Sequence, residues 1–265
     1  MERAVGHCGV GPAIDTTQTK QADRYSYLFN PLTILSCLGR PTTTFTTAFV
    51  LLSIKHACHA KTTTSAFGLA IAGYISLHPA FLLPPIALLC YDQVCKQVSS
   101  SQGDTGSRTS TKVAVDQRRL PNTIQLAASY VVSFIAAIAF LFLLSRLLLP
   151  SWQFIPSVYL TPLQLPDLTP NPGLWWYFFV EMFDAFRSFF LGVFWLHMLS
   201  YSAPLCLRLR RQPLAATVLM MGVTAIFEPY ASVGGTATWL SCLCLLGHVF
   251  ECKIPSTVSN VPRIC

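Results

Sequence analysis

Charged side chains are what this sequence has least of. Asp, Glu, Lys and Arg make up 11% of 265 residues, where a soluble domain carries about 25%. A soluble chain needs a charged exterior, so the deficit, with 52% hydrophobic residues, excludes a water-soluble globule. Other absences narrow the chemistry. The ten cysteines form no C-x-x-C pair, which excludes a zinc ribbon or a thioredoxin-like redox site. Cys37, Cys58, Cys90, Cys206, Cys242 and Cys244 instead lie in or beside apolar runs, as small hydrophobes do. Residues 1–24 lack the apolar core of a signal peptide. There is no G-x-S-x-G nucleophile turn, no phosphate-binding loop and no acidic pair suited to base and metal work. No catalytic residue, metal site or cofactor is expected.

Long apolar runs are present. About 20 such residues cross a bilayer. The runs are residues 42–55 (Thr-rich), 66–91, 126–149, 174–203, 214–227 and 236–250. Residues 25–38 resemble the end of a further membrane helix kinked at Asn30-Pro31. The sequence predicts an all-α, polytopic membrane domain over 25–250, with a polar head at 1–24 and a tail at 251–265. Loop charge orients it. Residues 92–120 hold Lys96, Arg108, Lys112, Arg118 and Arg119, and residues 204–213 hold Arg208, Arg210 and Arg211. Both are expected to be cytosolic, and the Pro-rich loop 150–173, without Lys or Arg, lumenal. The net charge of +7 therefore reports membrane orientation, not nucleic-acid binding. Residues 66–91 carry Lys55 and Lys61 before them and the basic loop after them. A break at His78-Pro79, with both ends cytosolic, fits that charge better than one crossing. Residues 99–111 are expected to be flexible linker.

The strongest candidate site lies in 166–190. Taken as one helix over 174–203, a wheel gathers Tyr177, Glu181, Asp184, Arg187 and Ser188 on one side. Phe178, Phe179, Phe183, Phe186, Phe189 and Phe190 fall opposite. Glu181 and Asp184 then sit about 10 and 15 Å below the lumenal start. Facing lipid, each charge would cost about 3 kcal/mol. Two readings stay open: an intramembrane Asp184–Arg187 ion pair that serves packing, or a polar groove for a lipid headgroup or partner helix. Asp167 and Asn171 either cap turns around the prolines or shape a lumenal entrance. His78 is expected to break a helix, His197 to be interfacial and Arg146 to snorkel. His56-Ala-Cys-His59 is half a metal site without a second half.

Three blocks, Leu28-Phe-Asn-Pro-Leu-Thr-Ile-Leu-Ser-Cys37, Ser151-Trp-Gln-Phe-Ile-Pro-Ser-Val-Tyr159 and Asp167-Leu-Thr-Pro-Asn-Pro-Gly-Leu-Trp-Trp-Tyr-Phe-Phe-Val-Glu-Met-Phe183, occur in this order. Together they resemble the PIG-U family of glycosylphosphatidylinositol (GPI) transamidase subunits. The likeness spans about residues 25–250. It implies an incomplete helical scaffold like that of lipid-linked mannosyltransferases (GT-C-like), without transferase activity of its own. It also implies multi-pass placement in the endoplasmic reticulum membrane. The partners implied are the GPI lipid and the other transamidase subunits, including a cysteine-protease-like catalytic one. Family members have further membrane helices on both sides, so the chain is expected to be truncated at both ends. A dolichol-phosphate-mannose-dependent mannosyltransferase and a transporter are the rival readings.

Overall fold

The computed structural model describes residues 29–39, 41–103, 123–149, 151–166, 169–244 and 246, and all regular structure among them is helical. The polar head, residues 25–28, the basic stretch from 104 on, Asp167 and the tail from 251 lie outside the described residues. Helix α1 (Pro31–Gly39) opens the described part. Asn30-Pro31 starts this helix, and the expected kink lies partly outside the described residues. The Asn30 Oδ1 accepts the Leu32 N–H at 3.0 Å, and Pro31 fills the first helical position, where no N–H is needed.

Helices α2 (Thr43–Cys58) and α3 (Thr62–Ile75) form a tight hairpin. Its turn places Ala60 at φ 55. The interface is built from small residues. Ser53 Oγ donates to the Ser65 carbonyl at 2.8 Å and Ser65 Oγ to the Ser53 carbonyl at 3.0 Å. A Cβ on Gly68 would stand 3.4 Å from the Ser53 nitrogen. Lipid offers no hydrophobic drive between helices, so close approach and shared hydrogen bonds must hold them. Helix α5 (Thr123–Leu148) lies parallel to α3, with Tyr130 on Ser65 at one end and Tyr74 hydrogen-bonded to Ser145 at the other.

Between α3 and α4 (Leu83–Gly103) the chain breaks at a short turn, His78–Leu82. Pro79 supplies no N–H to continue a helix. The two arms return to the same end, where Gln97 Nε2 donates to the His59 carbonyl at 3.4 Å. Residues 66–91 are therefore a folded-back pair. Helix α4 runs as far as Gly103, so residues 92–103 are not loop and the linker expected at 99–111 begins in helix. The Asp92–Lys96 pair, 2.6 Å apart one turn on, supports that extension.

The largest departure from expectation is in residues 174–203. They form a seven-residue arm, α6 (Leu174–Val180), and a long helix, α7 (Asp184–Arg208). Phe183, extended at ψ 136, separates them. On one continuous helix Trp175 and Phe194 would stand about 28 Å apart; their ring centroids are 5.1 Å apart. Phe178 and Phe190 meet likewise at 5.4 Å. Arm α6 thus folds back along α7. The cause is visible in the sequence the wheel flattened: aromatic rings pack on one another inside, while Glu181 and Asp184 move to the tip. Helices α5 and α7 are long and apolar enough to cross a membrane. Only 11% of the apolar window of α5 is buried, too little for the core helix of a soluble protein.

Helices α8 (Pro213–Ile226) and α9 (Val233–Cys244) close the fold. They cross at Gly222, where an added Cβ would come within 2.4 Å of Trp239 Nε1. Replacing Gly222 by Val should cost roughly 1–3 kcal/mol by overpacking and lower the melting midpoint of the detergent-solubilised protein. Gly192→Ala, with nothing within 4 Å of the new Cβ, should leave it unchanged or raise it. Equal midpoints for the two variants would refute the contact. The fold-back has its own test. Cysteines replacing Phe178 and Phe190 should cross-link on mild oxidation within one chain, whereas a continuous helix would hold them about 18 Å apart and leave both thiols free.

Candidate functional site

The fold-back decides where the sequence-selected residues lie. Glu181 ends α6 and Asp184 begins α7, so both carboxylates sit at the tip of the turn, exposed, with Tyr177 exposed one turn before Glu181. They are not 10–15 Å down a continuous span. A carboxylate in the first turn of α7 faces the positive end of that helix. The break at 181–183 also frees backbone N–H and C=O groups, which lipid cannot satisfy; the tip belongs in water, headgroups or another protein. Tyr177 and Glu181 share a face, but Asp184 and Arg187 do not continue it, because the wheel's register stops at Val180.

Arg187 forms no ion pair with Asp184 or Glu181 in the structure. It donates instead to the backbone carbonyl of Leu165. Leu165 is held at φ 46, a left-handed backbone that leucine seldom adopts. Its side chain, 2% exposed, packs with Trp175, Phe179, Leu191 and Met198. Arg187 thus anchors the Pro-rich loop to α7. Asn171 is a turn former: its Oδ1 accepts the Gly173 N–H at 2.8 Å, and its amide donates to the Thr169 carbonyl at 3.3 Å. Gly173 has no room for a side chain, since a Cβ would meet Ala231 Cβ at 2.9 Å. The loop therefore presses on the connection between α8 and α9. Tyr177, Gly173 and Leu174 line an open cleft there together with Ala225, Ser232 and Thr236. Asp167 falls outside the described residues.

A second constellation escaped the sequence reading. Three interruptions converge: the start of α2, the His78–Leu82 turn and the α8–α9 connection. They border an open cleft lined by Thr43, Thr46, Thr47, Ser76, Thr224, Ser232 and Thr238 and by His78 and Glu228. It adjoins the first cleft, sharing Ala225 and Ser232. His78 is 8% exposed and stacks on Trp195, with centroids 5.2 Å apart and planes at 23°. Its Nδ1 lies 3.2 Å from Ser76 Oγ and 3.8 Å from Glu228 Oε1. Its Nε2 has no partner, nor do the hydroxyls of Thr43 and Thr46. A signal for this site was in the sequence: His78-Pro79 and Glu228-Pro229 each place a titratable residue before the proline that breaks an apolar run. His197, by contrast, is half-buried against Tyr201 and Phe227. Arg146 hydrogen-bonds the Leu149 carbonyl at 3.2 Å and lies over the Trp152 ring. Among the described residues no group of three or more His, Cys, Asp or Glu could hold a metal ion.

Comparison with known proteins gives the chain a family. The family model described as GPI transamidase subunit PIG-U matches residues 15–261, reaching into both end segments and beyond the 25–250 likeness. The human GPI-anchor transamidase component PIGU is 31% identical over 231 residues, which cover 85% of this chain and 48% of the human one. GPI transamidase component GAB1 of Saccharomyces cerevisiae is 32% identical over 220 residues, covering 82% of this chain and 48% of its own. The GAB1 homolog of Schizosaccharomyces pombe is 30% identical over 237 residues, 88% of this chain and 50% of its own. The chain spans about half the length of the curated relatives it matches. With the family model covering nearly all of it, the chain belongs to the PIG-U family of GPI transamidase subunits.

Proposed function

We propose that this chain serves as a non-catalytic, multi-pass subunit of a GPI transamidase in the endoplasmic reticulum membrane. There it helps present the GPI lipid, or the attachment signal of the acceptor protein, to a cysteine-protease-like catalytic subunit. The observation that carries this reading is the relatives' shared description as transamidase components, along 82–88% of this chain. A mannosyltransferase has no counterpart among those names. A helical scaffold of mannosyltransferase type is part of the proposal, as an inherited architecture put to a binding use.

The geometry suggests how the work is divided. The exposed edge of Tyr177, Glu181 and Asp184 is a face for a partner subunit or a lipid headgroup, because a helix break with free backbone groups cannot face the hydrocarbon core. Arg187 and Asn171 hold the loop that carries this edge, and Asp167 lies within the same loop. The clefts behind it are open to a lipid headgroup. Charge at such a face acts through steering and complementarity. In cells lacking their own subunit and expressing the protein at a fixed level, charge reversal of both Glu181 and Asp184 to Lys should lower surface display of a GPI-anchored reporter. The expected fall is severalfold, roughly what 1 kcal/mol of lost binding yields. Display equal to wild type at equal protein level would remove the partner face.

A further inference from the structure

The α2–α3 turn and the α7–α8 turn lie at one end of the bundle. His78 marks the level of the helix breaks: it stacks on Trp195 of α7 and lies 3.8 Å from Glu228, just past α8. From that level α3 leads back to Lys61, and α7 leads to Arg208, each over about 20 Å of helix. Helix α8 runs along α4, with Val218 and Met221 in one apolar cluster with Leu89 and Cys90. The two turns therefore share the end to which α4 also returns. Lys55, Lys61, Arg208, Arg210 and Arg211 are exposed there, and none of them has an ion pair among the described residues. Asp92 is the only described acid at this end, and Lys96 already holds it at 2.6 Å. Five cations are left without a counter-charge.

Their neighbours say what supplies one. Leu52, one turn before Lys55, is 39% exposed, and Leu207, beside Arg208, is 76% exposed. Basic side chains bordering such apolar surface lay their stems along it and keep their heads in the polar layer. An acidic soluble protein would be met by a polar rim instead. We infer that the two basic turns form a binding surface for anionic phospholipid headgroups in the leaflet that surrounds them. Recognition here is of net negative charge at the headgroup, so serine and glycerol heads serve alike, while the choline ammonium cancels its own phosphate. The inference goes beyond the subunit reading and does not depend on it.

The test reconstitutes the 265-residue chain in phosphatidylcholine bilayers with a trace of spin-labelled lipid, and electron spin resonance reads the share of label held against the protein. Labelled phosphatidylserine and phosphatidylglycerol should be held severalfold more than labelled phosphatidylcholine. Salt at about 1 M, which cuts the screening length to about 3 Å, should erase most of that preference. Replacing Arg208, Arg210 and Arg211 by Gln should lower it, as should replacing Lys55 and Lys61, and replacing all five should remove most of it. All five are exposed, so the variants should melt like wild type; should the arginine variant not fold, the lysine variant carries the test. Arg146→Gln, at the far end of α5, should leave the preference unchanged. Equal retention of the anionic and zwitterionic labels would overturn the proposal, and binding of a polyglutamate peptide in that case would assign the surface to an acidic protein. Loss of the preference on replacing Arg108, Lys112, Arg118 and Arg119 instead would assign it to the stretch after α4, and would overturn it too. So would inorganic phosphate displacing the anionic label more than chloride does at equal ionic strength, since the site would then take a free anion.

Discussion

The contact between the α6 arm and α7 sets the geometry of everything around it. Trp175 and Phe179, 0% and 2% exposed, lie against Phe194, and Trp175 also meets Trp195 edge-on at 5.9 Å. Trp195 in turn stacks on His78 and touches Phe81, which fixes the turn between α3 and α4. Phe194 reaches Phe227 at the end of α8. One aromatic cluster therefore joins the fold-back and the two breaks flanking the polar cleft. Removing its central rings would loosen the cleft walls without touching a polar residue.

Two kinds of packing divide the molecule. The α2–α3–α5 side is close-packed through serine, alanine and glycine, with hydroxyls bonded across helices. The α6–α7 side is packed through large rings that bridge wider gaps. In lipid, where apolar transfer gives no net gain between helices, the first gains from contact and hydrogen bonds and the second from ring geometry. Small-residue interfaces permit little adjustment; rings can slide. The polar cleft lies where the two regimes meet, between the threonines of α2 and His78 stacked on Trp195.

How much of this was legible in the sequence follows from the same physics. Apolar runs mark helices well, because composition alone makes them unsuited to water: α2, α5 and α8 lie within a few residues of the stretches read from sequence. The break at His78-Pro79 was legible because proline removes a donor and the flanking lysines weigh against one crossing. The break at 181–183 was not. Val180-Glu-Met-Phe-Asp184 contains neither proline nor glycine, and the ring contacts across the turn, Trp175 with Phe194 and Phe178 with Phe190 among them, make it favourable. The wheel for Tyr177, Glu181, Asp184 and Arg187 failed for that reason. A helical wheel presumes the continuity it is used to interpret. Asn171 was legible as a turn former, since an Asx side chain bonding two residues on is a local device.

The polar cleft went unread because its residues are unremarkable singly. Thr43 and Thr46 look like part of a weak span, and Glu228 like a separator between two short ones. What unites them is a requirement of helices that stop amid apolar surroundings. Each break exposes backbone groups, those groups must be covered by protein, and covering them draws polar side chains inward. Where several breaks meet, the polar groups outnumber the bonds available among themselves; here Thr43, Thr46 and His78 Nε2 have no partner. A chain that breaks its helices beside one another therefore makes a polar cleft as a by-product, and binding can be built on it without any catalytic residue. Paired titratable-residue–proline steps inside apolar runs are the sequence mark of that arrangement, and His78-Pro79 and Glu228-Pro229 carry it.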